Sequence, residues 1–189
     1  MKKVILASAS PRRRELLAGL DVDFEVDTKN DFKECFEPSV DAHRLPLDMS
    51  VGKSHGFHRA LSEDEILVTA DTIVIVGSKV LGKPHSREEA VDMLRLLSGR
   101  THEVVTAVTI RDGDREESFT DSTMVRFGEL SDADIDYYID KYKPFDKAGA
   151  YGVQEWIGYV GIERIEGSFY NVMGFPVHRV RKLLNSFLH

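Results

Sequence analysis

The segment Ser8-Ala9-Ser10-Pro11-Arg12-Arg13-Arg14 gathers two hydroxyls and a run of guanidiniums around one proline. Serine followed by proline reads as a helix N-cap and its first residue. Arg12 and Arg13 then fall at the second and third helical positions. The free N–H groups there already carry about half a positive charge, and an acidic residue is favoured by roughly 0.3–1 kcal/mol. A bound anion resolves the conflict, because N–H groups, the hydroxyls of Ser8 and Ser10 and the guanidiniums of Arg12 and Arg13 would converge on one phosphate. An isolated basic run is more often a solvated face; the strand, cap and proline around this one favour the anion. On this reading, Arg13→Ala costs nucleotide affinity and leaves the free protein equally stable or slightly more so.

Asp71 is the second chemical signal. It stands between the β-branched runs Ile66–Thr69 and Ile73–Val76. A carboxylate in such a segment is costly to bury unless it is hydrogen-bonded, paired or bound to a metal. It is either a structural aspartate at a strand end or a base or metal ligand. Lys53, Lys83 and Glu34 are weak signals singly, although Gly82-Lys83-Pro84 is a turn able to aim its lysine. The sequence has no Gly-x-x-x-x-Gly-Lys-Ser/Thr loop, no Gly-x-Gly-x-x-Gly after a strand, and no His-Glu-x-x-His.

The elements that must position these residues follow from pattern. Val4–Ala7 reads as a buried strand, Ser10–Ala18 as a capped helix with Gly19 as its stop, and Asp23–Asp27 as a second strand. A helix weakened by Gly52 and Gly56 is expected over Leu47–Leu61. Two β-branched runs around Asp71 lead to a Gly77-Ser78-Lys79 turn. Ser86 with Glu89 forms a capping box that opens a helix ending near Gly99. A hairpin is expected around Asp112-Gly113-Asp114, a helix from Ser131 closing before Pro144, glycine-punctuated short strands over Gly149–Gly174, and a final amphipathic helix over Pro176–Leu188. Alternating strands and helices with a hairpin argue for an α/β domain with a mixed sheet.

The chain has 189 residues, 42% hydrophobic and 30% charged, with Lys+Arg 25 against Asp+Glu 32 and a net charge of −7. This is the composition of a globular domain, expected as a single domain over residues 1–189. The acidic balance argues against nonspecific nucleic-acid binding. One cysteine, Cys35, excludes an intrachain disulfide and fits a reducing cytoplasm. The apolar stretch at the N-terminus is too short for a secretory signal, and no run reaches the 18 or so apolar residues of a membrane span.

Taken in order, Ser8-x-Ser10-Pro11-Arg12-Arg13, Glu34, Lys53, Ala70-Asp71-Thr72, Leu81-Gly82-Lys83-Pro84, Ser98-Gly99-Arg100-Thr101-His102, Ala148-Gly149-Ala150-Tyr151-Gly152-Val153-Gln154 and Gly167-Ser168-Phe169-Tyr170-Asn171 resemble the Maf family of nucleoside triphosphate pyrophosphatases. Arg12, Thr72 and Gln154 match the marks of its dTTP- and UTP-hydrolysing branch. The resemblance implies an elongated mixed β-sheet flanked by helices, similar to inosine triphosphate pyrophosphatases, often dimeric. It implies release of pyrophosphate from a nucleoside triphosphate with a divalent cation, Mg²⁺ or Mn²⁺. In these roles Asp71 is the proton acceptor, Glu34 and Asp71 hold the metal, and Arg12, Arg13, Lys53 and Lys83 neutralise phosphates. Ser8 and Ser10 line the phosphate site, while Thr72 and Gln154 set specificity. Gly52 and Ser54 flank Lys53 where the family commonly has helix formers, and Glu155-Trp156 follows Gln154 where many members have glycine. A non-catalytic nucleotide sensor regulating cell division is the alternative; retention of Asp71 and Glu34 favours an enzyme.

Overall fold

The computed structural model describes residues 2–33 and 41–189. Glu34 and Cys35 lie outside the described residues. In chain order the elements are β1 (Lys3–Leu6), α1 (Pro11–Ala18), β2 (Phe24–Val26), α2 (Leu45–His55), β3 (Glu65–Val76), β4 (Lys79–Leu81), α3 (Arg87–Leu97), β5 (Thr101–Arg111), β6 (Glu116–Phe127), α4 (Asp132–Tyr142), a 3₁₀ turn (Ala148–Ala150), α5 (Trp156–Gly161), β7 (Ile162–Glu166), α6 (Phe169–Val172) and α7 (Val177–Leu188). The sheet runs β2-β1-β3-β5-β6-β7, with β4 paired to β3. It is mixed: β1 is parallel to β2 and β3, while β3–β4 and β6–β7 are antiparallel. The expected α/β class with a mixed sheet and helices is what forms.

The chain divides into two compact units, one of residues 1–71, 106–121 and 174–189 and one of residues 72–105 and 122–173. In the first unit, strand alternation sorts the side chains. Val4, Leu6, Ile66, Val68, Ala70, Val108 and Ile110 face one way, into a core closed by Leu17 of α1 and by Val180, Leu184 and Phe187 of α7. Ile5 and Leu67 face the other way and pack on Phe57. Thr69 and Thr109 share that second face, where Thr69 Oγ1 donates to the Ser50 carbonyl of α2 (2.8 Å) and Ser50 Oγ meets Thr109 Oγ1 at 2.7 Å. Burial of the apolar face and pairing of the polar one fix α2 to the sheet.

The second unit is built on α3 and α4, which bury Ala90, Met93, Leu94 and Leu97 and Ile135, Tyr138 and Ile139. Both helices start where the capping serines are. Ser131 and Asp134 form the full reciprocal box. At α3 the Ser86 Oγ accepts from the Glu89 N–H (3.1 Å), but the Glu89 carboxylate accepts from the His85 N–H (2.7 Å) instead of closing on Ser86.

Two sequence expectations are corrected and one open alternative is decided. The helix expected over Leu47–Leu61 is α2, which stops at His55. A Cβ on Gly56 would lie 2.7 Å from Asn30 Oδ1 and 2.8 Å from the Phe32 nitrogen, and Phe57 bridges Asn30 in extended form. Asp71, expected within or at the end of an extended and mostly buried segment, lies within one unbroken strand, β3, and is not at its end. The expected strands over Gly149–Gly174 are largely helical turns, with β7 the one strand there. Gly158 and Gly161 lie in α5 and leave no room for a side chain, since Val153 O and Leu130 Cδ2 come within 1.9 and 2.8 Å of where their Cβ atoms would be.

Candidate active site

Asp71 follows Thr69 by two positions, so strand alternation sends its side chain to the face covered by α2. There it accepts from Lys53 Nζ on Oδ1 at 2.6 Å, with side-chain exposures of 18% and 23%. That is enough access to reach a ligand. Lys53 is presented rigidly: its carbonyl accepts from Asn30 Nδ2 (2.7 Å), and the next residue, Ser54, is buried and donates to Glu116 Oε2 (2.8 Å) while accepting from Arg111 Nε (3.0 Å). The glycine and serine flanking Lys53 are packing devices. A Cβ on Gly52 would lie 2.3 Å from the Phe32 ring, so glycine lets that ring close on α2.

Arg13 approaches the same strand from α1. Its Nε donates to the Gly174 carbonyl (2.9 Å), and its Nη1 donates to the Ala70 carbonyl (2.8 Å) and to Ser8 Oγ (3.3 Å). Burial lowers the guanidinium to about 10, with the charge of Asp71 opposing that change and Arg12 adding to it. Ser8 is buried, and its Oγ also accepts from the Ser10 N–H (3.3 Å). Ser10 is the N-cap residue of α1, but its side chain makes no capping bond. The first unit thus brings Ser8, Arg13, Asp71 and Lys53 into one connected cluster, with Ser10 attached through its backbone and Arg12 near enough to act on the charge of Arg13. The expectation that Arg13 faces only an anion is revised, because two backbone carbonyls and a hydroxyl already take its donors.

Thr72, Lys83 and Gln154 belong to the second unit. Thr72 follows Asp71 on β3 and projects to the opposite face of the strand. Lys83 is exposed in the turn after β4 and has no ion-pair partner among the described residues. That turn is tied to the loop leading to Gln154 by the Gly149 N–H, which donates to the Gly82 carbonyl (3.0 Å). Gly149 is required there: its φ is +69°, and a Cβ would meet Val74 at 3.0 Å. Gln154 Oε1 is a buried acceptor with no protein partner among the described residues. An unsatisfied buried carbonyl costs roughly 1–3 kcal/mol, so the atom needs a water or a ligand donor.

Sequence reasoning missed what supports this loop. Tyr138 donates to Glu155 Oε2 and accepts from the Gly152 N–H, Lys147 Nζ lies 3.2 Å from Glu155 Oε1, and His102 Nε2 meets Tyr151 Oη at 2.7 Å. Burial pushes His102 down to about 4 and the Tyr151 hydroxyl up. The motif residues His102 and Tyr151 were visible in sequence; Tyr138 and Lys147 carried no signal beyond their helical or loop setting.

Among the described residues no group of three His, Cys, Asp or Glu side chains gathers to hold a metal by protein alone. Asp71 nevertheless fits one ligand of a magnesium-type ion, which takes one or two carboxylates and fills its sphere with water and substrate phosphates. Its Oδ1 is shared with Lys53, so such an ion would meet Asp71 through Oδ2 or would displace the lysine.

The family described as Maf-like protein matches residues 3–187. A protein of Parabacteroides distasonis named dTTP/UTP pyrophosphatase is 50% identical over 185 residues, 98% of this chain and 96% of that one. A protein of Porphyromonas gingivalis with the same name is 49% identical over 187 residues, 98% of this chain and 94% of that one. In fold, the chain is similar to the structure of a HAM1 protein from Coxiella burnetii, with a TM-score of 0.51, 11% identity, and coverage of 98% of this chain and 100% of that one. No helix among the described residues is long and apolar enough to cross a membrane.

Proposed function

The chain belongs to the Maf family, and from that premise we propose that it is a nucleotide diphosphatase that hydrolyses dTTP and UTP to the monophosphate and pyrophosphate. The observation that carries the reading is the Asp71–Lys53 pair on the α2 face of β3, with Arg13 and Ser8 joined to the same strand. Cleavage between the α- and β-phosphates needs a base for the attacking water and positive charge for the leaving pyrophosphate. Asp71 accepts the proton from that water. Lys53, by sharing its charge between Asp71 and the phosphates, orients the carboxylate and offsets repulsion between it and the substrate. Arg12 and Lys83 add positive charge for the triphosphate. Arg13 holds Ser8 and the Ala70 carbonyl, and so sets where Asp71 stands.

A divalent cation, Mg²⁺ or Mn²⁺, supplies charge neutralisation at the phosphates and lowers the pKa of bound water. Asp71, with Glu34, is its proposed protein ligand. Specificity is assigned to Arg12, Thr72 and Gln154. Gln154 carries an amide that can accept from the N3–H of uracil or thymine and donate to the neighbouring carbonyl of the base. A product assay across a nucleotide panel tests the proposal. Pyrophosphate and monophosphate from dTTP and UTP, lost with EDTA and restored by Mg²⁺ or Mn²⁺, are expected. Inorganic phosphate as the sole product, or turnover indifferent to chelation, overturns it.

A further inference from the structure

A glutamine can tell uracil from cytosine only while its amide is held in one place, because a displaced or rotated amide offers donor and acceptor interchanged. The residues around Gln154 form a device for that purpose. Gly152 and Glu155 bracket it and are joined by the Glu155 N–H, which donates to the Gly152 carbonyl (3.0 Å). Both ends of this turn meet on one atom, the hydroxyl of Tyr138. It accepts from the Gly152 N–H at 2.9 Å and donates to Glu155 Oε2. Lys147, itself buried, pairs with the other carboxylate oxygen at 3.2 Å and with Asp146 at 2.8 Å. The packing leaves no slack: a Cβ on Gly152 would lie 2.9 Å from the Glu155 carboxylate carbon and 3.0 Å from Lys147 Cε. Tyr138 is fully buried on α4 and stacks on Tyr142 at 5.2 Å, so its hydroxyl is a fixed point set by the helix.

We propose that Tyr138, through its hydroxyl and with Glu155 and Lys147, is a specificity-positioning residue that holds the turn bearing Gln154 for recognition of a pyrimidine with a 4-carbonyl. The inference rests on Gln154 reading the base. It extends that reading to a residue that touches no substrate. The turn is held by bonds from its two ends, and none of these bonds uses the Gln154 side chain between them.

The test compares kcat/KM for dTTP and dCTP in the wild type, Tyr138→Phe, Glu155→Gln and Gln154→Ala, with melting curves for each. Phenylalanine keeps the ring in the core and removes only the hydroxyl. Tyr138→Phe is expected to lose dTTP-over-dCTP preference by on the order of tenfold or more, the scale on which small misplacements act, while folding at the assay temperature. Glu155→Gln, which keeps an acceptor for Tyr138 but not the charge facing Lys147, should lose less. Combining Tyr138→Phe with Gln154→Ala should add little to Gln154→Ala alone. If Tyr138→Phe melts lower but keeps the wild-type preference while Gln154→Ala loses it, the brace is merely structural and the inference fails with the Gln154 reading intact. If Gln154→Ala keeps the preference, both fall.

Discussion

Lys53 and Asp71 meet at 2.6 Å although one is carried by a helix and the other by the strand beneath it. The contact exists because Thr69 and Ser50, two and three residues before them, are bonded to each other in the buried layer. The ion pair is therefore an extension of a packing contact. Its geometry is set before any ligand arrives.

Asp71→Asn keeps size and hydrogen-bonding capacity but removes the proton acceptor and the charge. Turnover of dTTP should fall by about 10²–10⁴-fold, the usual cost of losing a general base. Binding should persist, since Lys53 is released toward the phosphates. Pyrophosphate release and calorimetry on the same variant separate the two effects; near-normal turnover would remove Asp71 from the chemistry.

Arg13→Ala is expected to destabilise the free protein, by on the order of 1–3 kcal/mol, because the carbonyls of Ala70 and Gly174 lose a buried donor. This reverses the sign expected from the helix dipole alone. Urea unfolding of the ligand-free variant decides it, and unchanged stability with a raised KM would return Arg13 to the role of an anion ligand.

Gly158→Ala tests propensity against packing. In an open helix the change would gain about 1 kcal/mol. Here the new Cβ would stand 1.9 Å from the Val153 carbonyl oxygen, a backbone atom next to Gln154. The variant should melt lower and lose pyrimidine selectivity together; a rise in melting temperature would show that the turn can yield.

Two acid-sensitive windows are expected in stability. Glu65 is held down to about 2, first by its bidentate bond from Arg59, then by the Ser62 N–H, against burial. Its folded value lies below the ordinary 4.5. Its contribution is therefore present above that value and lost as pH falls toward 2. His102, pushed by burial from 6.5 to about 4, protonates first in the unfolded chain, so stability also declines between those values. Glu65→Gln should flatten the lower window and His102→Gln the upper one, measured as denaturant midpoints against pH.

The parts of the fold written in local sequence were readable: the capping serines of α3 and α4, the proline opening α1, and the hairpin turn between β5 and β6. Asp71 was legible as an expensive carboxylate in a β-branched run. What escaped was set by distant partners. Arg13 looked like an anion ligand because its bonded carbonyls are 57 and 161 residues away. The glycines of α5 read as strand punctuation because the atoms that demand them, on Val153 and Leu130, are tertiary neighbours. Tyr138 reads in sequence as one more apolar residue on a helix face, and only the turn it meets reveals its hydroxyl's use.

The alternation of β3 makes its length matter more than its composition. Deleting or inserting one residue between Ile66 and Ala70 would turn the Asp71 carboxylate away from Lys53 and into the apolar cluster of Val4, Val108 and Phe175. An unpaired charge there costs several kcal/mol, and Thr69 would lose Ser50 in the same move. Substitutions among Ile66, Val68 and Ala70 trade one apolar shape for another, whereas a frame change of one residue costs the fold and the chemistry at once. This stretch can drift in sequence only at constant residue count.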